Sequence, residues 1–514
     1  MTRYFGTGIW LVLLLSLLTI FVNLGGIPLL DPDEPVYAET AKEMMHFADF
    51  VSPRIYGEFW YDKPPMYYWL VAASFKLFGV TEFAARLPAA ALAVLGGLVV
   101  YGYGNRLFGE KAGLASAVVL VTSVEYFYMG KAAVTDITLT LCLTISLLAF
   151  IAGQYRLCWL FAGLATVTKG PVGFLFPGAV IFLYLTLDRR WHEIRYMKIP
   201  TGLLIFAVSA LPWYVAMYGI HGQAFIDTFL GFHNLTRFTS PEHPEGVLWY
   251  YFVPVLIVGF FPWSGLLLQS VWAALSRSRG PEKSPLLFLT IWAVFIFLFF
   301  SVSQTKLVSY ILPMFPPLSL VVGWYAARLW EERHDRPWGW ALTSSGIAVV
   351  LAAALWLLRE DIPELREHVW VMIAVLTLMA LGSLLFCWRR QMRTLFWTQA
   401  SGMVLFSVVL VTLLFPAVAV NFSMKQAAAE FLAQYDGRSP VYVIKFLHPG
   451  FTFYADVYGK EILGDSGLKR ALNAPEPQAY YIVRRSEFDR LAAAEQQKVD
   501  ILSRVADKVI LKKK

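Results

Sequence analysis

The chain has 514 residues, 58% of them hydrophobic and only 15% charged, with a formal net charge of +7 and a mean hydropathy of +0.56. A soluble globule carries nearer a quarter charged residues, so this composition excludes an ordinary soluble enzyme and predicts a polytopic membrane protein. The basic excess falls in loops between apolar stretches, where topology explains it, and gives no sign of nucleic-acid binding. The three cysteines, Cys142, Cys158 and Cys387, are an odd count in or beside apolar segments and read as small hydrophobes, with no disulfide framework.

The first apolar run, Gly8 to Leu30, is long enough to cross a bilayer and too long for a cleavable signal, and is expected to form an uncleaved first helix. A long acidic and aromatic loop, Leu30 to Pro88, follows. Within it Asp33-Glu34 is bracketed by Pro32 and Pro35, and Tyr37–Phe47 reads as an amphipathic helix along the membrane surface. Further apolar stretches then recur to Val420, about thirteen spans in all. The segments around Leu157–Thr168 and Val172–Leu187 are short enough to form one helical hairpin. With Arg3 inside, the clusters Arg106/Lys111, Arg189/Arg190, Arg277/Arg279, Arg333/Arg336 and Arg389/Arg390 all fall on the cytoplasmic side. The acidic loop, the turns at Lys131–Asp136 and Lys169–Pro171, the loops His221–Tyr250 and Ser303–Tyr310 and the tail then face the opposite side.

After Val420 the pattern changes. Met424–Tyr435 and Ser486–Gln497 read as helices; Val441–Leu447, Ala479–Val483 and Lys508–Leu511 read as strands. The expected architecture is a polytopic α-helical membrane bundle over residues 1–420, carrying the large first loop (30–88), and a small α/β soluble domain over 421–514.

The polar residues collect in the loops of one face, a pattern of surface catalysis more than of permeation, because the spans read as nearly free of charge. Asp33 and Glu34 are candidates for a general base or for electrostatic support of a positive sugar carbon; an equally direct reading makes Asp33 the N-cap of a helix starting near Pro35. In Asp62-Lys63-Pro64-Pro65 the two prolines fix the backbone and aim the Lys63 ammonium among interfacial aromatic rings, which suits a lipid-linked phosphate. Asp136 follows in KAAVTDITLT and Lys169 in TKGPVG. His233, Asn234 and Arg237 lie in GFHNLTRF, and Lys306 and Tyr310 in SVSQTKLVSYILP. A divalent metal at His233 and Asp62 has only weak support, since the spacing of a structural metal site is absent. No Gly-rich phosphate loop is evident.

The strings DPDEPVYAETAKEM, WYDKPPMYYWLVAASFKLFG, TEFAARLPA, TKGP, HNLTRF and SQTKLVSYILPMFPPLSL, in that order from Asp33 to about Leu320, resemble the ArnT-like branch of the protein mannosyltransferase superfamily, which are GT-C glycosyltransferases. The resemblance implies a bundle of about thirteen helices with a periplasmic soluble domain. It also implies inverting transfer of a sugar from an undecaprenyl- or other polyprenyl-phosphate donor. The sugar of the branch is 4-amino-4-deoxy-L-arabinose and the acceptor lipid A. Asp33 then matches the catalytic aspartate of the first loop and Asp136 the second acidic position. Lys63 and Arg237 match groups that hold the donor phosphate, with Lys306 and Tyr310 beside them. Two departures stand out: Val36 replaces the usual arginine after the acidic pair, and Asp62 stands where glutamate is common. The expected setting is the bacterial inner membrane, with a monomer active on the periplasmic face. Alternatives are a protein O-mannosyltransferase-like enzyme and a transporter or flippase of lipid-linked sugars.

Overall fold

The computed structural model describes residues 6–236, 239–240, 248–276, 280–331 and 337–514, apart from the side chains of residues 233–235 and 465. The chain divides into two compact units. One comprises Met1–Val22, Tyr61–Tyr67 and Pro88–Thr412; the other comprises Asn23–Trp60, Tyr68–Leu87 and Leu413–Lys514. Most of the first loop, expected with the bundle, thus groups with the C-terminal segment.

The first unit is a helical bundle. Seven described helices of the chain are long and apolar enough to cross a membrane, or nine if each of two bent pairs counts as one span. Shorter apolar helices, Thr7–Phe21, Asp136–Ile151 and Val172–Leu187, accompany them. The first helix ends at Phe21, well short of the Leu30 expected from hydropathy. There the Lys131 ammonium caps it, donating to the Ile20 carbonyl at 2.7 Å, where the helix dipole favours a cation. The bent pairs are Glu110–Val121 with Val124–Lys131, kinked by 62°, and Phe252–Gly259 with Ser264–Ser276, kinked by 103°. Helices Glu110–Val121 and Phe315–Glu331 pack closely because Gly323 lies against the backbone and side chain of Ser116, space that any Cβ would fill. The expected hairpin forms as Tyr155–Lys169 and Val172–Leu187, broken by Gly170 at φ +81° and Pro171.

The described spans are nearly free of charge, as expected, yet a buried acid stands in one of the bent pairs. Glu125 is buried in helix Val124–Lys131, and neither of its carboxyl oxygens has a hydrogen-bond partner among the described residues. A single acid inside an apolar run barely alters hydropathy, so the sequence pattern hides it.

The second unit holds the first-loop helix Asp33–His46, a two-residue hairpin of β1 (Arg54–Ile55) and β2 (Glu58–Phe59), and an α/β fold. Its sheet comprises β3 (Val441–Ile444), β4 (Lys460–Ile462), β5 (Tyr480–Arg484), β6 (Val499–Val505) and β7 (Lys508–Lys513) in the order β4-β3-β5-β7-β6. β3 runs parallel to β4 and β5, while β7 is antiparallel to β5 and β6. β3 is buried throughout its length, as a central strand covered on both faces must be. The expected strands at 441, 479 and 508 and the helix at 424 are present. Ser486–Gln497 is two short helices, Arg485–Asp489 and Ala493–Gln496. Helix His448–Ala455 and strands β4 and β6 escape the sequence pattern, because their apolar positions are too few to set a period.

Candidate active site

In the bundle unit, the ends of two helices bring opposite charges together. Asp136 opens helix Asp136–Ile151, where the positive end of the helix dipole favours a carboxylate. Lys169 closes helix Tyr155–Lys169, where the negative end favours an ammonium. Lys169 Nζ lies 2.7 Å from Asp136 Oδ1, and both side chains are largely buried. The same ammonium sits 5.1 Å from the ring centroid of Tyr310, on the 3₁₀ turn Val308–Met314.

These groups line a cavity of about 520 Å³ together with Asp62, Lys63, Leu175, Phe229, Leu230, Phe299 and Phe300. Ser303, Thr305 and Ser309 complete its polar wall. Lys63 Nζ meets Asp62 Oδ1 at 2.9 Å, so the cavity contains two lysine–aspartate pairs. Such pairs are close to neutral until an anion enters and competes for the ammoniums. A phosphate among them would gain charge-assisted hydrogen bonds in a site partly shielded from water. A second groove, also about 520 Å³ and almost wholly apolar, runs along Leu183, Leu187, Ile291, Val294, Phe295, Leu298 and Val302. Phe299 lines both the groove and the cavity.

Asp33 and Glu34 belong to the second unit, in the first turn of the first-loop helix. That helix starts at Asp33 after Pro32, with no side-chain cap, so the N-cap reading of Asp33 does not hold. Glu34 is committed locally. Arg86 Nε and Nη2 reach its two oxygens at 2.8 and 2.6 Å, and the Leu30 N–H donates to it at 2.9 Å. Arg86 Nη1 also donates to the carbonyls of Leu24 and Ile27. This geometry makes Glu34 a brace of the loop, whereas Asp33 is exposed.

Of the other expected residues, Lys306 is buried and donates to the Ser303 carbonyl at 2.6 Å, capping the end of helix Lys283–Val302. Burial lowers its affinity for a proton. It stands outside the described lining of the cavity. Arg237 and the side chain of His233 lie outside the described residues. Among the described residues no group of three or more His, Cys, Asp or Glu is placed to hold a metal ion. Asp62 is paired with Lys63, and the metal site expected at Asp62 and His233 falls partly outside the described residues. Sequence reasoning noted Lys169 but gave it no role; its place after an apolar helix and before Gly-Pro was the available signal. Phe229 and Leu230 carried none.

Residues 62–214 match the model of the dolichyl-phosphate-mannose-protein mannosyltransferase family. The chain is 32% identical over 320 residues to an uncharacterised protein of Aquifex aeolicus, covering 60% of this chain and 62% of that one. It is 31% identical over 343 residues to the undecaprenyl phosphate-alpha-4-amino-4-deoxy-L-arabinose arabinosyl transferase of Aeromonas hydrophila, covering 64% and 61%. The chain thus spans about three fifths of the length of the curated relatives it matches. The crystal structure of ArnT from Cupriavidus metallidurans bound to undecaprenyl phosphate superposes with a TM-score of 0.82 at 25% identity, covering 98% of this chain and 97% of that one. The oligosaccharyltransferase of Archaeoglobus fulgidus, at 11% identity and TM-score 0.55, covering 95% and 70%, shares the fold alone.

Proposed function

We propose that this chain, ArnT-like in sequence and in fold and built on the GT-C architecture, is a membrane glycosyltransferase that takes its sugar from undecaprenyl phosphate. The observation that carries the reading is the cavity in which Lys63, Lys169, Asp136 and Tyr310 meet beside an apolar groove. Lys63 and Lys169 hold the donor phosphate, and Arg237 is a further cation for the same phosphate. The groove takes the first part of the polyprenyl chain, whose transfer from water is favourable by about 25 cal/mol per Å² of apolar surface.

In the transfer, an acceptor hydroxyl oxygen attacks the anomeric carbon on the face opposite the phosphate. A new C–O bond forms, and the bond from the anomeric carbon to the phosphate oxygen breaks. Its electron pair leaves with the phosphate, where the two ammoniums stabilise the growing charge. Asp33 accepts the proton of the attacking hydroxyl. Asp136, held against Lys169, supports the positive character of the sugar ring.

The sugar is 4-amino-4-deoxy-L-arabinose, as the name of the matched Aeromonas relative supports, and the acceptor is lipid A. The enzyme is a monomer of the inner membrane, with catalytic loops and C-terminal domain on the periplasmic face; the clustering of Lys and Arg in the alternate loops supports that orientation. The family model over residues 62–214 supports a second reading, with a protein as acceptor. Membranes bearing wild type or Asp33→Asn, supplied with polyprenyl-phosphate sugars, separate these readings by mass spectrometry. An increment on lipid A that is lost in the variant is the expected result. An increment on protein moves the acceptor, and donor crossing between leaflets without product would make the chain a flippase.

A further inference from the structure

The C-terminal segment grips the first-loop helix along much of its length, within one compact unit. Just before the helix, the Leu29 N–H donates to the phenol of Tyr454 at 2.7 Å, and the Asp31 N–H donates to the Phe422 carbonyl at 2.8 Å. The Asp31 side chain is seated directly over Gly450, where any Cβ would collide with its carboxylate. Tyr454 in turn donates to Glu82 at 3.3 Å, and Glu82 receives Lys425 at 2.6 Å. Glu82 opens the helix that also carries Arg86, the residue gripping Glu34. Further along, Lys42 reaches Asp456 at 2.7 Å, and beyond the helix Tyr56 stacks on His448 with ring centroids 3.6 Å apart. Tyr454, Asp456 and His448 all lie in or beside the single helix His448–Ala455.

A solvent-exposed ion pair such as Lys42–Asp456 holds weakly, since Asp456 is 81% exposed. The Tyr454 bond differs: it satisfies a peptide N–H four residues before Asp33, on the strand of chain that aims the helix start. A carboxylate that must meet a hydroxyl within hydrogen-bond reach tolerates little displacement.

We propose that the C-terminal domain is part of the catalytic apparatus, with Tyr454 as a positioning residue that sets Asp33 through Leu29 and the start of the first-loop helix. The catalytic half of this statement rests on the function of Asp33 given above, whereas the grip itself does not.

The test uses the full-length protein and its Tyr454→Phe variant, which keeps the ring and loses only the hydroxyl, with Lys42→Met as a second, milder break. Hydrogen exchange of residues 29–46, measured without substrate, reads the grip. Steady-state transfer reads kcat and donor KM, and binding of undecaprenyl phosphate reads the phosphate site. Expected for Tyr454→Phe are faster exchange confined to residues 29–46, a kcat lowered about 10- to 100-fold, and donor affinity within about twofold of wild type. Unchanged exchange, or faster exchange with kcat preserved, overturns the proposal. So does an equal fall in donor affinity, which would mark a general loss of structure. If wild type itself transfers no sugar, the function of Asp33 fails and the catalytic half falls with it. The exchange result still decides the grip.

Discussion

Lys169 and Asp136 face each other at 2.7 Å from the ends of two different helices, and Tyr310 lies 5.1 Å beyond the ammonium. Each charge sits at the helix end whose dipole favours it, so the pair is pre-aligned before any substrate arrives. Removing one partner leaves the other buried without its counter-charge. Lys169→Met is expected to destabilise the bundle by about 3 kcal/mol and to abolish turnover. The double variant with Asp136→Asn should recover much of the stability without recovering activity. Thermal unfolding of the purified variants checks this; equal stability losses that simply add would show that the two charges do not sense each other.

Lys63 faces the same cavity from the Asp-Lys-Pro-Pro turn. Lys63→Ala should weaken undecaprenyl phosphate binding by about 1.5–3 kcal/mol, roughly 10- to 100-fold, since one charge-assisted contact is lost. Calorimetric titration of detergent-solubilised protein with the lipid phosphate reads it. Unchanged affinity would remove Lys63 from the phosphate site.

Arg86 and Glu34 form a 2.6 Å ion pair within the second unit, both side chains almost fully buried. Glu34→Gln and Arg86→Met should each cost about 3–5 kcal/mol in the stability of that unit, because each strands a buried charged or polar group. If Glu34 were an acid in the chemistry, Glu34→Gln would instead stay folded and lose kcat. Unfolding curves and kcat per folded molecule separate the two.

The acid Glu39 is also buried, in the first-loop helix, and burial pushes it up from the usual carboxylate range to about 7. Lys42 and Glu43 of the same helix, Asp456 and Tyr458 after helix His448–Ala455, and Tyr56 of the hairpin face it. Burial raises Glu43 as well. The folded unit therefore binds a proton more tightly than the unfolded chain. Its stability is greatest below the unfolded value near 4.5 and falls as pH rises towards about 7, levelling off above that. The fall from Glu39 alone is about 3 kcal/mol. Glu39→Gln should flatten most of this slope in unfolding measured from pH 4.5 to 8. A slope that survives in the variant would assign the effect elsewhere.

Much of this arrangement was legible before any coordinates. Hydropathy gave a polytopic helical bundle. The sharp composition change at Val420 gave the α/β domain, because strands and amphipathic helices impose periods that a membrane span does not. Motif strings singled out Asp33, Lys63, Asp136 and Tyr310, since such polar residues are costly beside a membrane unless they are used.

Other features depend on contacts between residues far apart in the chain, and no local pattern records them. Asp136 and Lys169 carry no mark of each other in sequence, yet helix packing makes them a pair. Glu34 reads as half of an acidic doublet until Arg86, fifty-two positions away, takes both its oxygens. Lys306 reads as one more cation of the site until folding buries it under the Ser303 carbonyl. The sequence by itself determined the solvent each segment must face, because burial energy follows side-chain polarity residue by residue. Only the tertiary structure decided which charges neutralise one another and which face the cavity, because electrostatic pairing depends on distance in space and not along the chain.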